Sequence, residues 1–271
     1  MSAVPLLIPD WPLPRGVGAA MATRIGGVGT APYNSLNLRP PSLEPPGAPA
    51  DDPQAVGENI RRYGAALGAQ PVFLRQVHGA QVLNLDEHAS PVQSPATADA
   101  AVTTRVGLAC TVLVADCLPV LLTDVAGRAV AAAHAGWRGL AAGVLENTLQ
   151  ALCERAGCSP AQVQAWLGPC IGPQAFEVGP DVLQAFGHSP SAAHTAVDGD
   201  AAAAFRYAPR PDGAPRWLAD LAALARLRLR AAGLHRICSS GLCTVSEPSR
   251  FFSFRRDGLT GRMAASIWRH G

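Results

Sequence analysis

The sequence predicts a single α+β domain over residues 1–271, with mixed β-sheets sandwiched between helices. Three observations predict it. Between residues 100 and 135 the apolar runs AAVTT, LACTVLVAD, LPVLLTD and GRAVAAA follow one another with only Gly107, Asp116-Cys117 and Gly127 as breaks. Runs this short and this continuously apolar read as strands covered on both faces. Three other stretches carry helical spacing, and neither a fixed-period repeat nor a linker divides the chain.

The elements follow in order. Gly18 to Thr23 reads as a strand, and Gly26, Gly27 and Gly29 mark the turn that leads into PYNSLNL. The Pro-rich stretch 39–53 is an exposed loop. Val56, Ile60 and Tyr63 give a helix from Pro53 to Leu67, stopped by Gly68. PVFLRQV and AQVLNL, joined at His78-Gly79, read as a hairpin over 71–86, and 90–98 reads as a loop. After the apolar block, Val144, Leu145, Thr148, Leu149 and Leu152 specify a helix from Leu140 to Arg155, ended by Gly157. Residues 162–168 form a strand, and Pro180 to Phe186 a short helix. Residues 188–215 are a loop or insertion. Trp217 to Ala232 is a helix ended by Gly233, and His235–Ser239 and Met263–Trp268 are strands.

Composition narrows the function. The net charge is only +2, which argues against nucleic acid or an anionic membrane as main partner. All 22 basic residues are arginine, so lysine nucleophiles, Schiff bases and a phosphate loop ending in Gly-Lys-Ser/Thr are excluded. The seven cysteines are odd in number, irregularly spaced and without a Cys-x-x-Cys pair, which argues against a disulfide framework. MSAVPLLIPDWPLP lacks a basic start and is broken by prolines, so it is not read as a signal peptide, and no run of about 18 apolar residues exists. A reduced, cytoplasmic protein is the expectation.

Three residues stand out as chemistry. His78 in RQVHGA, Cys117 in VADCLP and His134 in AAAHAGWRG each follow an apolar run and precede a Gly- or Pro-marked break. Each has an ordinary alternative: an exposed turn residue, a buried inert thiol, a core histidine. Their shared context favours a joint site, and two imidazoles with one thiolate are three zinc ligands that leave a fourth position open. Arg24, Arg75, Arg138 and Arg255 are candidates to bind phosphate or substrate bidentately. Asp99, Asp116 and Glu177 are candidate proton shuttles, among which the sequence does not choose.

RQVHGAQV, ADAAVT, ADCLPVLLTD, AAAHAGWRGL, WLGPCIGPQAFEVG and FFSFRRDGLTGRMA occur in this order, after ATRIGG and PYNSLNL. Together they resemble the YfiH family, also called the multicopper polyphenol oxidase, laccase-domain or peptidoglycan editing factor family, over residues 20–268. The resemblance implies a YfiH-like fold and one zinc on His78, Cys117 and His134. It also implies phosphorolysis of adenosine, inosine and methylthioadenosine, with adenosine deaminase activity. Partners would then be small purine nucleosides and phosphate, and the chain a monomer or weak dimer. The Pro-rich insertion at 39–53 and the region 188–215 depart from the family pattern, and both bear on the details of the substrate lid.

The oxidase label fits the residues poorly. A three-copper cluster needs paired His-x-His ligands, and none of the seven histidines (78, 88, 134, 188, 194, 235, 270) is so spaced. Copper is expected only as an adventitious occupant of the His₂Cys set. Two rivals remain: a cysteine hydrolase editing a peptidoglycan precursor, with Cys117 as nucleophile and His134 or His78 as base, which the family's similarity to toxin deamidases makes concrete, and a zinc-stabilised binding protein.

Overall fold

The computed structural model describes residues 4–87, 95–188 and 203–271. Its first strands are β1 (Leu6–Leu7) and β2 (Val17–Ala22), followed by helix α1 (Pro53–Leu67). The Asp52 carboxylate caps α1 by accepting from Gln54 N–H, Pro53 occupies the first turn, and Gly68 ends it in the left-handed region at φ 65°. Strands β3 (Gln70–Val72), β4 (Val82–Asn84), β5 (Ala100–Thr103), β6 (Leu108–Val114), β7 (Leu118–Asp124) and β8 (Val130–Ala135) come next. Then come α2 (Trp137–Ala141), α3 (Val144–Ala156), β9 (Val163–Leu167), β10 (Glu177–Val178) and α4 (Pro180–Ala185). The chain closes with β11 (Phe205–Tyr207), β12 (Trp217–Ala219), α5 (Leu221–Ala231), β13 (Arg236–Ser239), α6 (Phe254–Asp257) and β14 (Met263–Arg269).

These strands form two large mixed sheets and a small one, in the orders β1-β2-β14-β6-β3, β13-β9-β7-β8-β5-β4 and β10-β12-β11. The two large sheets pack face to face. Met21, Cys110, Val112 and Ile267 of the first meet Ala101, Leu121, Val130 and Trp166 of the second in one buried cluster. The outer face of the first sheet (Ala20, Ala109, Leu113, Ala264) is covered by Tyr63 and Leu67 of α1. The outer face of the second (Val102, Val120, Leu122, Ala131) is covered by Leu145, Leu149 and Leu152 of α3 and Leu224 of α5. The order is helix, sheet, sheet, helix. It explains why every residue of β6, β7 and β8 is buried and why their sequences do not alternate.

Three sequence expectations are corrected. Residues 71–86 are not a hairpin: β3 pairs in parallel with β6 in the first sheet, while β4 pairs in parallel with β5 in the second. Residues 73–81 therefore carry the chain from one sheet to the other. The helix read from Leu140 is two helices, because Gly143 at φ 94° interrupts it between α2 and α3. The helix read from Trp217 begins at Leu221, since Trp217–Ala219 pairs with β10 and β11 and Asp220 caps α5 by accepting from Ala223 N–H. Within the region read as a 188–215 loop, β11 forms, and 189–202 lie outside the described residues, as do 88–94.

No helix among the described residues is long and apolar enough to cross a membrane. All seven cysteines are free thiols.

Candidate metal centre and its cavity

Two of the three conspicuous residues sit where the chain passes between the large sheets. His78 lies in the β3–β4 crossover, and Cys117 immediately precedes β7 after the chain leaves β6. His134 is the penultimate residue of β8, in register with Pro119 of β7. The two crossovers and one strand end thus meet at one edge of the sandwich. The ligand atoms of His78, Cys117 and His134 lie within 4.8 Å of one another. Cys117 Sγ is 3.7 Å from His78 Nε2, a separation suited to a sulfur and a nitrogen sharing one tetrahedral ion at about 2.3 and 2.1 Å.

Gly136 keeps these ligands together. A Cβ at that position would fall 2.8 Å from His78 Cδ2 and 2.9 Å from Cys117 Sγ, so a side chain there would wedge two ligands apart. At Gly139 a Cβ would meet the Gly79 carbonyl oxygen at 2.7 Å, so glycine lets α2 lie against the His78 turn.

Asp99, fully buried, holds the His134 imidazole and the backbone at His78. Its Oδ1 accepts from His78 N–H at 2.9 Å and lies 2.9 Å from His134 Nδ1. Its Oδ2 accepts from Val77 N–H at 3.1 Å and Gly79 N–H at 2.7 Å. Three consecutive backbone N–H groups converge on one carboxylate because His78 adopts φ 60°, an uncommon value outside glycine. A carboxylate on Nδ1 fixes the tautomer of His134 and leaves Nε2 to face the site. Burial raises the Asp99 carboxyl, but bonds from His134 and the backbone N–H groups of Gly79 and Val77 outweigh it and hold the group below its usual value.

The thiol and imidazole are coupled. Burial opposes ionisation of Cys117, yet the charge of His134 and hydrogen bonds from His134 and His78 keep the thiol below its usual value. Burial likewise opposes protonation of His134, and the Cys117 charge with the Asp99 bond reverses that. A thiolate is thus favoured in place, which is the form that binds a metal or acts as a nucleophile. The two imidazoles and one thiolate suit zinc or copper, and the residues present fit a single ion.

The triad opens on a cavity of about 580 Å³, large enough for a nucleoside-sized molecule. Leu43, Leu74, Leu113, Ile171 and Leu221 give it an apolar lining, with the aromatic rings of Trp137, Phe176 and Phe254. Arg75, Arg138 and Arg255, candidates from the sequence to bind phosphate or substrate, line it. Arg75 Nη2 donates to the Ser42 carbonyl, Arg255 Nη1 to the Glu177 carbonyl, and the Arg138 guanidinium lies 4.2 Å from the Trp137 ring.

Other candidates fall elsewhere. Arg24 is not part of the lining: it stacks on Phe252 at 4.7 Å and donates to the carbonyls of Asn34 and Pro248, so it ties loops together. The Glu177 carboxylate is also outside, bonded to Arg210 and 3.6 Å from Arg216. Asp116 lines the cavity, but its carboxylate accepts from Thr244 Oγ1, Ser253 Oγ and Arg255 N–H. At φ 97° its backbone turns the chain into Cys117. Arg39, Gln76 and Arg262 line the cavity and were not singled out from the sequence, although Arg39 directly follows NSLNL and Arg262 lies in TGRMA.

A family model described as multi-copper polyphenol oxidoreductase laccase matches residues 18–270. The chain belongs to this family. It is the YfiH family to which the sequence motifs pointed. Purine nucleoside phosphorylase YfiH of Escherichia coli (strain K12) is 47% identical over 266 residues, spanning 97% of this chain and 98% of that protein. A purine nucleoside phosphorylase of Pseudomonas aeruginosa is 46% identical over 97% of each chain. Among solved structures, a Neisseria meningitidis protein superposes with a TM-score of 0.83 at 43% identity, covering 98% of this chain and 99% of that one. YlmD from Geobacillus stearothermophilus superposes at 0.82 with 28% identity, covering 100% and 98%. Despite the family's descriptive name, the group of potential metal ligands found among the described residues is the single set His78, Cys117 and His134. A copper cluster has no further imidazoles to use there.

Proposed function

We propose that this family member is a zinc-dependent purine nucleoside phosphorylase acting on adenosine, inosine and methylthioadenosine, with adenosine deaminase activity from the same cavity. The observation that carries the reading is the open His78–Cys117–His134 triad on a nucleoside-sized cavity with arginine and aromatic walls. The names of the Escherichia coli and Pseudomonas aeruginosa relatives support it.

In phosphorolysis an oxygen of phosphate bonds to C1′ of the ribose while the bond from C1′ to the purine nitrogen breaks. The base leaves with that electron pair and takes up a proton. When bound by His78, Cys117 and His134, the ion supplies Lewis-acid stabilisation of negative charge at the cavity floor. Guanidinium groups on the walls attract the phosphate anion and oppose its charge. The rings of Trp137, Phe176 and Phe254 offer flat apolar faces to a purine, and the leucine lining excludes water, which would otherwise compete with phosphate. Deamination needs a carboxylate free to carry a proton. Asp99 and Asp116 are engaged by N–H and O–H donors and Glu177 by arginines, so phosphorolysis is the better supported of the two reactions.

The test is product analysis of metal-loaded protein on adenosine, with and without phosphate, for wild type and Cys117→Ala. Adenine formed only with phosphate, and lost in the variant, is expected. Inosine alone would leave only the deaminase part standing.

One observation favours a second reading. Cys117, His134 and Asp99 also form a thiol–imidazole–carboxylate line, with the thiol held below its usual value. That is the arrangement of a cysteine hydrolase. A nucleophilic thiolate cannot also be a tight metal ligand, so chelation abolishes the phosphorylase activity and spares or raises that of a hydrolase.

A further inference from the structure

Arg262 differs from the other cationic groups of the cavity. Its side chain is partly buried, whereas Arg75, Arg138 and Arg255 are exposed; like those three it forms no ion pair with a carboxylate among the described residues. Both side-chain hydrogen bonds of Arg262 come from Nη1, to the carbonyls of Thr260 at 2.9 Å and Gly261 at 3.1 Å. Nη2 and Nε are thus uncommitted among the described residues. Its guanidinium lies 5.8 Å from the Phe254 ring on the cavity wall. Arg39 stands near enough for the two positive charges to repel. Arg39 is itself anchored, with Nε and Nη2 donating to the Leu43 carbonyl and Nε 3.3 Å from Glu44 Oε2.

Two partly buried guanidiniums line one cavity; Arg39 is paired with Glu44, and Arg262 has no carboxylate partner of its own among the described residues. Burial, followed by the Arg39 charge, pulls the Arg262 pKa below its usual value, while Glu44, Cys117 and Asp116 act the other way. Arg262 lines the same cavity as His78, Cys117 and His134. An oxyanion held between the arginines would relieve the imbalance and take up the free fork of Arg262.

We propose that Arg262, backed by Arg39, forms the oxyanion subsite of the cavity and holds the phosphate co-substrate beside the triad. The assignment rests on the phosphorylase reading for the identity of the anion. It separates Arg262, as a direct ligand, from Arg75, Arg138 and Arg255. Arg39 acts as a second cation whose main attachment is to the loop that supplies Leu43 and Pro45 to the wall.

The experiment measures inorganic phosphate binding to the metal-loaded protein by calorimetry, beside the KM for phosphate and for adenosine. Arg262→Gln is expected to weaken phosphate about 10- to 100-fold, the effect of losing a charge-assisted fork. Adenosine binding should change by less than about 3-fold, since an uncharged nucleoside draws little on an oxyanion subsite. Arg262→Lys, which keeps the charge without the fork, should recover part of the loss. Metal content and melting temperature identify any variant that has merely unfolded, and in that case the lysine variant decides.

Unchanged phosphate affinity in a folded Arg262→Gln protein overturns the subsite even if adenine is still produced. So does an equal loss of phosphate and adenosine. If wild type binds phosphate through Arg262 yet yields no adenine, the subsite stands and the phosphorylase reading fails.

Discussion

Asp99→Asn exchanges an acceptor-only group for one that is half donor, and the consequence follows from four contacts. Oδ1 serves His78 N–H and His134 Nδ1, and Oδ2 serves Val77 N–H and Gly79 N–H. Whichever oxygen becomes the amide nitrogen, two donors lose their acceptor inside a buried site. Each unsatisfied buried donor costs about 1–3 kcal/mol, so the metal-free Asp99→Asn protein should be destabilised by about 2–6 kcal/mol. Metal affinity should fall about 10- to 100-fold, the usual effect of removing an outer partner of a ligating histidine. Urea unfolding of the metal-free protein reads the first quantity. Competition with a chromogenic zinc chelator reads the second. Stability altered by less than about 1 kcal/mol, together with metal affinity within about 2-fold of wild type, would refute the positioning role.

Three further outcomes are expected. Gly136→Ala should lower metal affinity by an order of magnitude or more in the same competition assay, because the new methyl lies under 3 Å from two ligands, while the fold survives at a backbone φ of −66°. Tyr63→Phe should cost about 1 kcal/mol in urea melts by removing a buried hydroxyl bonded to Ser266 Oγ at 2.9 Å and the Ala264 carbonyl at 3.2 Å, without altering phosphate binding. Asp86 tests pH dependence. Burial raises its carboxyl, but bonds from the hydroxyls of Thr103 and Thr104, Thr104 N–H and the Arg155 charge leave it below the usual 3.8. A carboxyl lowered in the folded state adds stability that is complete above that usual value and is lost as pH falls through the folded one. Asp86→Asn should therefore cost about 1–3 kcal/mol at pH 7. The gap from wild type should narrow in urea melts near pH 3, and a gap that does not depend on pH would contradict the assignment.

The arginines show how unevenly the cavity was legible. Arg75, Arg138 and Arg255 stand close in sequence to conspicuous residues and do line the cavity, whereas Arg24, equally conspicuous beside its glycines, is spent on loop carbonyls. Arg39 and Arg262, more than two hundred positions apart, carry no local signal that they share a wall. Asp99 was visible as a carboxylate in a β/turn segment, but its hold on the His134 imidazole and the His78 backbone together depends on the turn at His78, whose positive φ no sequence period announces.

By itself, the sequence determined the central strands of the core, because burial on both faces writes itself as unbroken apolar runs in β6, β7 and β8. It also singled out the three side chains that the structure brings within 4.8 Å of one another, because histidine and cysteine at strand breaks are few and chemically specific. Sheet pairing was decided only in three dimensions: the stretch that reads as a hairpin at His78 divides between two sheets, since local spacing fixes a strand's pattern but not its partner. The same crossover carries His78 to Cys117 and His134, so the convergence of the site belongs to tertiary packing rather than to any segment of the chain.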